Sequence, residues 1–317
     1  MRKTKNEAII EGRIYDHTLE KKITGETSKA PGTVYITGDI NIATDDACLN
    51  VVTVHYTYVT EWTNKGNQDR VFPVLSQIID SAKTIVKDGK DNATLVRCSS
   101  AAISLNEFFT DNAKSESNPD GLVSAKRLER GFINIVSSLN SEDKRNIFEC
   151  DMLINGTRLV EADPENNIPE DYLVIKGAVF NFRNDLLPVE FIVRNAGGIN
   201  YFQSLEASPS NPIFTKVWGT IKSQTITKTY QEETAFGEPV VKESSRTTRE
   251  WIILKAAKET YEIGDSENGI TAEEVTELGQ KRQVVIAELK KNHEDYMSKK
   301  NGGATAPATA GAGGFNF

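Results

Sequence analysis

The sequence predicts a mainly β protein with some α elements: two small β-barrel domains, a charged C-terminal helix and a disordered tail. Runs of β-branched and aromatic residues with period-two alternation recur from residue 9 to residue 254. A Glu- and Lys-rich stretch follows, and the chain then ends in a Gly- and Ala-rich segment. A length of 317 residues suits two domains. We therefore expect domains at residues 1–162 and 163–258, a helical segment at 259–300 and a flexible tail at 301–317.

The first domain opens with three predicted strands, at residues 9–15, 33–43 and 50–62. The apolar residues of the second strand share one parity, which indicates a strand with one buried face. Gly38 lies in the middle of that strand, where a glycine usually marks a bulge or a sharp bend. A tightly coiled small barrel requires such a bend.

A helix interrupts these strands. Residues 71–86 place their apolar side chains on one helical stripe, with Pro73 in the first turn and Gly89 after the end. Strand patterns resume at residues 93–109, 131–136 and 146–160. The order therefore begins strand, strand, strand, helix, strand, strand.

The second domain uses the same kind of architecture after an acidic, proline-bearing boundary at 161–171. Its predicted elements are strands at 172–182 and 186–194, a short helix at 198–205, and strands at 214–221, 225–230 and 249–254. Five strands with a helix between the third and fourth is the order of the OB-fold barrel, which binds single-stranded nucleic acids or sugars on its second and third strands. We therefore expect two OB-like β-barrel domains.

Signals for catalysis are weak in this sequence, and we expect a protein that is not an enzyme, with no cofactor and no metal. His17, His55 and His293 lie in different predicted elements. The chain has neither a phosphate-binding glycine loop nor a nucleophile elbow. Asp45 and Asp46 suit a turn between two strands better than a cation site.

The charge and the cysteine content bear on nucleic-acid binding and on the cellular compartment. The net charge of −8 opposes nucleic-acid binding in general, but residues 259–300 alone carry ten acidic and six basic residues, so a local basic groove is compatible with it. Three widely spaced cysteines favour a reducing compartment. The basic N-terminus is not followed by the apolar stretch of a signal peptide, and we expect a cytoplasmic protein with no membrane partner.

Binding of a single strand needs aromatic rings that stack on bases and cations that follow the phosphates. The candidate strands carry both kinds of residue. The candidates are Arg13, Tyr15, Tyr35, Tyr56, Tyr58 and Trp62 in the first domain, and Lys176, Phe180, Phe182, Arg183, Lys216, Trp218 and Lys222 in the second.

Strand parity leaves open which of these aromatic rings are buried. Three of them share the parity of the valines in strand 50–62, so each is either a core residue or a platform: Tyr56, Tyr58 and Trp62. The two phenylalanines of residues 172–182 likewise share the parity of an apolar face. Tyr15 and Tyr35 lie opposite to the apolar parity of their strands or at its edge, and are the better candidates for exposure.

The layout of the first domain resembles the opening of bacterial and phage single-stranded DNA-binding proteins. The residues concerned are 10–13 (IEGR), 38–44 (GDINIAT) and 51–54 (VVTV). Residues 214–221 (FTKVWGTI), followed by 235–238 (AFGE), are similar to the later domain of phage replication-associated binding proteins. The resemblance implies a sequence-tolerant single-stranded DNA-binding protein that serves phage replication or recombination in the host cytoplasm, and that could also bind copies of itself.

The resemblance also implies a role for the tail. Proteins of that family often end in a flexible segment with acidic residues and an aromatic tip that docks replication and repair proteins. Here Phe315 and Phe317 supply the aromatic residues, whereas the last residues lack Asp and Glu. The tip is therefore expected to dock a partner, and the alternative is an inert terminus.

Two other functions fit the same pattern. A virion structural protein, such as a head or tail component, could be built from two β-domains that assemble with their own copies. A carbohydrate-binding module would use the same aromatic faces to bind glycans.

Overall fold

The computed structural model describes residues 1–63, 65–163, 168–232, 236 and 240–302. The strands are β1 (Asn6–His17), β2 (Glu20–Ile23), β3 (Val34–Ala43), β4 (Val51–Thr60), β5 (Leu95–Phe109), β6 (Leu122–Glu129), β7 (Phe132–Ile135), β8 (Asn146–Val160), β9 (Tyr172–Phe180), β10 (Leu186–Val193), β11 (Ile213–Glu232) and β12 (Val240–Ala256). The helices are α1 (Phe72–Ser81), α2 (Ile85–Asp88), α3 (Ala196–Ser204) and α4 (Ala272–Gly302). The predicted mainly β fold with a C-terminal helix is confirmed.

Five strands of the N-terminal half close into a first ring. β1 pairs with β3, β3 with β4, β4 with β6, β6 with β5, and β5 again with β1. Only the β4–β6 pair is parallel. α1 follows the third strand of the ring and buries Leu75 and Ile78 against its core. This is the strand order of the OB fold.

The closing strand of this ring, β6, differs from the sequence-based expectation. Its sequence, LVSAKRLE, has mixed polar and apolar residues without alternation, and only Leu128 is buried. The sequence pattern predicts residues 131–136 and 146–160 as strands of the first unit instead. In the structure, β7 is a short strand paired with β5, and β8 belongs to the second half of the molecule.

The second ring has the same strand order. β8 pairs with β9, β9 with β10, β10 in parallel with β12, β12 with β11, and β11 with β8, while α3 follows β10. Its core contains three aromatic rings, Phe148, Phe191 and Trp251, whose centroids lie 5.1 to 6.1 Å apart. The segments 214–221 and 225–230, predicted as two strands, are parts of the single strand β11.

The two rings share one twelve-stranded sheet, because the start of β1 pairs with β8 from Asn6↔Cys150 to Ile10↔Asn146. A division of the chain into folding units at residue 162 stays a prediction.

The connection between the rings is fixed by a buried carboxylate. Glu11 is fully buried in β1 and accepts hydrogen bonds from Arg97 on β5 and from the backbone and side chain of Asn140. Burial alone would raise the pKa of Glu11, but these hydrogen bonds and the Arg97 charge lower it below its usual value.

Two glycines allow the strands to bend, as Gly38 was expected to do. Gly38 has φ +130°, and a Cβ there would lie 2.5 Å from the carbonyl oxygen of Thr18. In the second ring, a Cβ on Gly177 of β9 would lie 2.2 Å from the carbonyl oxygen of Leu153. Next to Gly38, the β3–β4 register shifts, because Thr57 and Tyr58 of β4 face the single residue Thr37 of β3.

The helix α4 contacts both rings. Leu278 packs with Phe180 and Phe214 of the second ring, and Arg282 forms an ion pair with Glu107 on β5 of the first. A capping box opens the helix: the backbone N–H of Glu274 donates to the Thr271 hydroxyl at 3.2 Å, and the N–H of Thr271 donates to the Glu274 carboxylate at 2.9 Å. Among the described helices, none is long and apolar enough to cross a membrane.

Candidate nucleic-acid interface

Aromatic side chains from both rings line one cleft of about 470 Å³. We call it the aromatic cleft. Its exposed rings are Tyr58 of β4, Phe132 of β7 and Phe182 of the β9–β10 turn, and Arg130 lines it as well. Each of these side chains is directed outward by a local backbone feature.

Tyr58 is exposed because of the register shift next to Gly38. The preceding aromatic residue with the same parity, Tyr56, is fully buried, and its hydroxyl lies 3.5 Å from the thiol of Cys98. The extra residue reverses the alternation, so Tyr58 turns outward and is 44% exposed. Its ring lies 4.7 Å from that of Tyr35 on β3, and the two form a tilted pair.

Phe132 and Arg130 extend from the tight turn between β6 and β7. Arg130 and Gly131 have φ values of +62° and +105°. A Cβ at Gly131 would lie 2.6 Å from the sulfur of Cys98, so the turn lies directly on the core. This close approach leaves the Phe132 ring 55% exposed at the start of β7. Neither residue is among the predicted ligand residues, although a glycine turn followed by an aromatic residue is a usable signal.

The second ring contributes Phe182 and Arg183 through a compact turn. The side-chain oxygen of Asn181 accepts hydrogen bonds from the backbone N–H groups of Arg183 and Asp185, and Asn184 has φ +62°. Phe182 is 83% exposed at this turn, and the Arg183 guanidinium lies 5.1 Å from its ring centroid.

A second cleft, of about 390 Å³, continues along the same strands. We call it the basic cleft, because Lys126 and Arg127 of β6 and Arg249 of β12 line it. Arg249 reaches from the second ring to the first and donates to the Thr53 hydroxyl at 3.2 Å. Residues 51–53 and 55 of β4 line this cleft, whereas residues 56, 58 and 59 line the aromatic cleft. At about 3.3 Å per strand residue, the two clefts together follow β4 for about 25 Å.

Acidic side chains offset much of the positive charge in both clefts. Arg127 donates to Glu129 at 3.1 Å, and the Nδ1 of His55 lies 2.6 Å from Asp39. Burial would raise the pKa of Glu129, but hydrogen bonds from hydroxyl groups, including that of Thr57, and the charge of Arg127 lower it. Glu129 therefore stays ionised at neutral pH and offsets the charge of Arg127, so attraction for phosphate is modest.

Lys126 is different from the exposed cations. It lies between the rings, donates to the backbone oxygen of Glu190 on β10 and sits 5.7 Å from the ring centroid of Phe191. Burial lowers the pKa of Lys126 to about 8, against the opposing effect of the Glu190 charge. This lysine therefore contributes to the contact between the rings as well as to the cleft.

Four of the predicted ligand residues are brought together at the aromatic cleft. Tyr58 and Phe182 line it, and Tyr35 and Arg183 contact those two rings. Trp62 is 58% exposed in the turn after β4, outside the residues that line either cleft. Two predictions are wrong as stacking platforms: Tyr56 and Phe180 are fully buried in the cores, where a base cannot reach them.

The remaining candidates lie elsewhere, and several cations pair with acids. Arg13 lies 3.9 Å from Asp46, Lys176 lies 3.7 Å from Glu190, and Lys216 lies 3.0 Å from Glu149. Trp218 neighbours Lys216 on β11, Tyr15 is half-buried on β1, and Lys222 is exposed on β11. The predicted docking residues Phe315 and Phe317 lie outside the described residues.

The solved structures that match this chain include two with the following similarity. One is a deletion mutant of the single-stranded DNA-binding protein from Thermus aquaticus, with a TM-score of 0.46, 11% sequence identity, and coverage of 84% of this chain and 100% of that one. The other is the wild-type single-stranded DNA-binding protein from Thermus aquaticus, with a TM-score of 0.45, 11% identity, and coverage of 84% and 97%.

A search of the curated proteins by sequence gave no match. The family model described as YorF matches residues 5–292. That match covers most of the chain, which therefore belongs to the YorF family.

Proposed function

We propose that this protein binds single-stranded DNA with little sequence preference, along the aromatic and basic clefts. The observation that carries the proposal is the convergence of Tyr58, Phe132 and Phe182, from both rings, in one cleft beside a second cleft that contains arginines. Stacking of a base on an aromatic side chain contributes about 1–3 kcal/mol, and every base has a face that can stack. Three platforms are therefore sufficient for useful affinity without base-specific contacts.

The polar groups of the basic cleft support sequence tolerance. The Thr53 hydroxyl donates to Asn41 at 2.6 Å and accepts from Arg249, while Asn41 donates to Asp16 at 2.5 Å. These side chains bond to one another, so they are poorly placed to read base edges. A duplex would keep its bases stacked away from the aromatic rings, which favours a single strand as the ligand.

The finer parts of the proposal follow from the sequence resemblance. A sequence-tolerant single-strand binder of this kind would act in phage DNA replication or recombination in the host cytoplasm. Phe315 and Phe317 would dock a replication or recombination protein, because two aromatic residues at a chain end can fill a small pocket. Deletion of residues 313–317 should then abolish capture of such a partner while leaving oligonucleotide affinity unchanged.

Fluorescence titration of a labelled oligothymidine at two salt concentrations tests the DNA-binding proposal directly. We expect saturable binding that weakens as salt increases, a comparable affinity for a mixed-sequence single strand, and much weaker binding to the matching duplex. Failure to bind at low salt, or equal affinity for the duplex, would reject the proposal. An oligouridine titration in the same buffer measures the preference between DNA and RNA.

A further inference from the structure

The outer half of β11 presents an open strand edge. β8 covers this edge from Ile213 to Gly219, and among the described residues no other strand pairs with it beyond that point. β12 pairs with the opposite edge as far as Glu232↔Val240. We call residues 220–232 and 240–252 the ribbon. A two-stranded ribbon is only marginally stable alone.

Two asparagine side chains identify the backbone groups on the open edge. Asn146 accepts from the N–H of Ile221 and donates to its carbonyl oxygen, and Asn50 accepts from the N–H of Ser223 at 2.7 Å. In an antiparallel strand, the N–H and C=O of every second residue point to the same edge. The backbone groups of residues 225, 227, 229 and 231 therefore point away from β12.

The sequence of this edge lacks the charges that normally protect one. Between Lys222 and Glu232, only Lys228 is charged, and most of the other residues are β-branched or aromatic. The paired strand β12 is richer in charge, because its residues 240–250 carry five charged side chains. Exposed strand edges in soluble proteins are usually blocked by charges or proline, or are covered by another strand. This asymmetry indicates that β11, and not β12, is the edge that becomes covered.

We propose that two copies of this chain pair through the outer edges of their β11 strands. Pairing about a two-fold axis brings identical antiparallel edges together, and each then supplies the backbone groups that the other lacks. The result is a four-stranded sheet with β12 on both outer sides. The tip of each ribbon, where Val241 is 60% exposed, then lies beside the base of the other ribbon. This inference does not depend on the proposed DNA binding.

Sedimentation velocity of the full chain, without DNA, tests the proposal. We expect the wild type to sediment as a dimer at micromolar concentration and Thr227→Pro to sediment as a monomer. Proline at this position removes an N–H on the open edge and leaves the bonds to β12 in place. Thr227→Val keeps the N–H and the strand propensity, and should remain a dimer.

A second variant covers the case in which Thr227→Pro does not fold. Replacing residues 225–247 with Asn-Gly closes the hairpin directly after the Gln224↔Thr248 pair and removes the open edge. This variant should be a folded monomer with a cooperative thermal transition. A monomeric wild type, or a dimer that both variants retain, would overturn the proposal. If the wild type is a monomer and Thr227→Pro binds oligothymidine more weakly than the wild type does, the edge of β11 binds nucleic acid instead. That result would also overturn the proposed pairing of two copies.

Discussion

Phe132 shows how one turn can create a ligand platform. The two residues before it have positive φ values, and the turn is held against the core by the contact of Gly131 with Cys98. The ring is therefore exposed on a rigid support. A platform of this kind loses little conformational entropy when a base stacks on it.

Phe132→Ala should weaken oligothymidine binding by about 1–3 kcal/mol, roughly 5- to 150-fold, through the loss of one stacked base. Phe108→Ala is the matched control, because Phe108 is an exposed phenylalanine on the neighbouring β5 that does not line either cleft. Fluorescence titration compares the two variants. Equal losses in both would contradict the role assigned to Phe132.

The buried Glu11 carboxylate should dominate acid sensitivity in the link between the rings. Glu11→Gln keeps the shape but presents an amide to the donors of Arg97 and Asn140, and should lower the free energy of unfolding by about 2–4 kcal/mol at pH 7. The folded-state pKa is below the unfolded value, so this stabilisation is complete above the unfolded pKa of about 4.5 and is lost as the pH falls towards the folded pKa.

Urea unfolding at pH 7 and at pH 4 measures this effect. The difference between wild type and Glu11→Gln should be larger at pH 7 and should shrink at pH 4. A difference that grows on acidification would contradict the assigned direction of the pKa shift.

At the scale of elements, the β3–β4 pair joins a bend to a functional side chain. Gly38 lets β3 bend, and the register shift beside it turns Tyr58 outward. Gly38→Ala would force a Cβ to within 2.5 Å of the Thr18 carbonyl oxygen at a φ of +130°. We expect a loss of about 2–4 kcal/mol in the free energy of unfolding, as for other strained backbone positions.

Gly156→Ala on β8 is the control for this substitution, because a Cβ there meets no atom within 4 Å and the φ is not positive. Thermal and urea unfolding should leave Gly156→Ala close to the wild type. If both substitutions lower the free energy of unfolding by the same amount, the bend in β3 does not require a glycine at position 38.

The β3–β4 pair also shows what could not be predicted from the sequence. The mid-strand glycine correctly indicated a bend, but parity alone could not decide between Tyr56 and Tyr58, because the alternation reverses at the extra residue. β6 was missed because a strand that buries only Leu128 lacks alternation. β8 is predicted in the first unit because the sequence of a strand does not show which other strands it pairs with. Tertiary pairing decided each of these cases.

At the scale of the whole molecule, three features hold the clefts together. The start of β1 pairs with β8, Lys126 donates across the rings to β10, and α4 bridges the second ring to Glu107 of the first. A single strand bound along both clefts would therefore contact two rings in fixed relation. Once such a ligand is bound to one ring, it would bind the other with little further loss of orientational entropy.

The charge of the molecule leads to a prediction about salt. The chain has a net charge of −8, and the clefts offer four cationic side chains: Lys126, Arg127, Arg130 and Arg249. At about 0.7 counterions released per neutralised phosphate on a single strand, the slope of log Kobs against log salt should be about −2 to −3. Arg249→Ala should reduce the magnitude of that slope by about 0.7 and weaken binding equally for different base sequences.

Lys216→Ala provides the control for Arg249, because Lys216 pairs with Glu149 and does not line either cleft. Its slope should equal that of the wild type. A change of slope in Lys216→Ala and none in Arg249→Ala would move the phosphate path away from the clefts to the outer face of β8 and β11, where Trp218 would then be the stacking platform. The salt titration of these two variants thus decides which face of the two-ring sheet binds the strand.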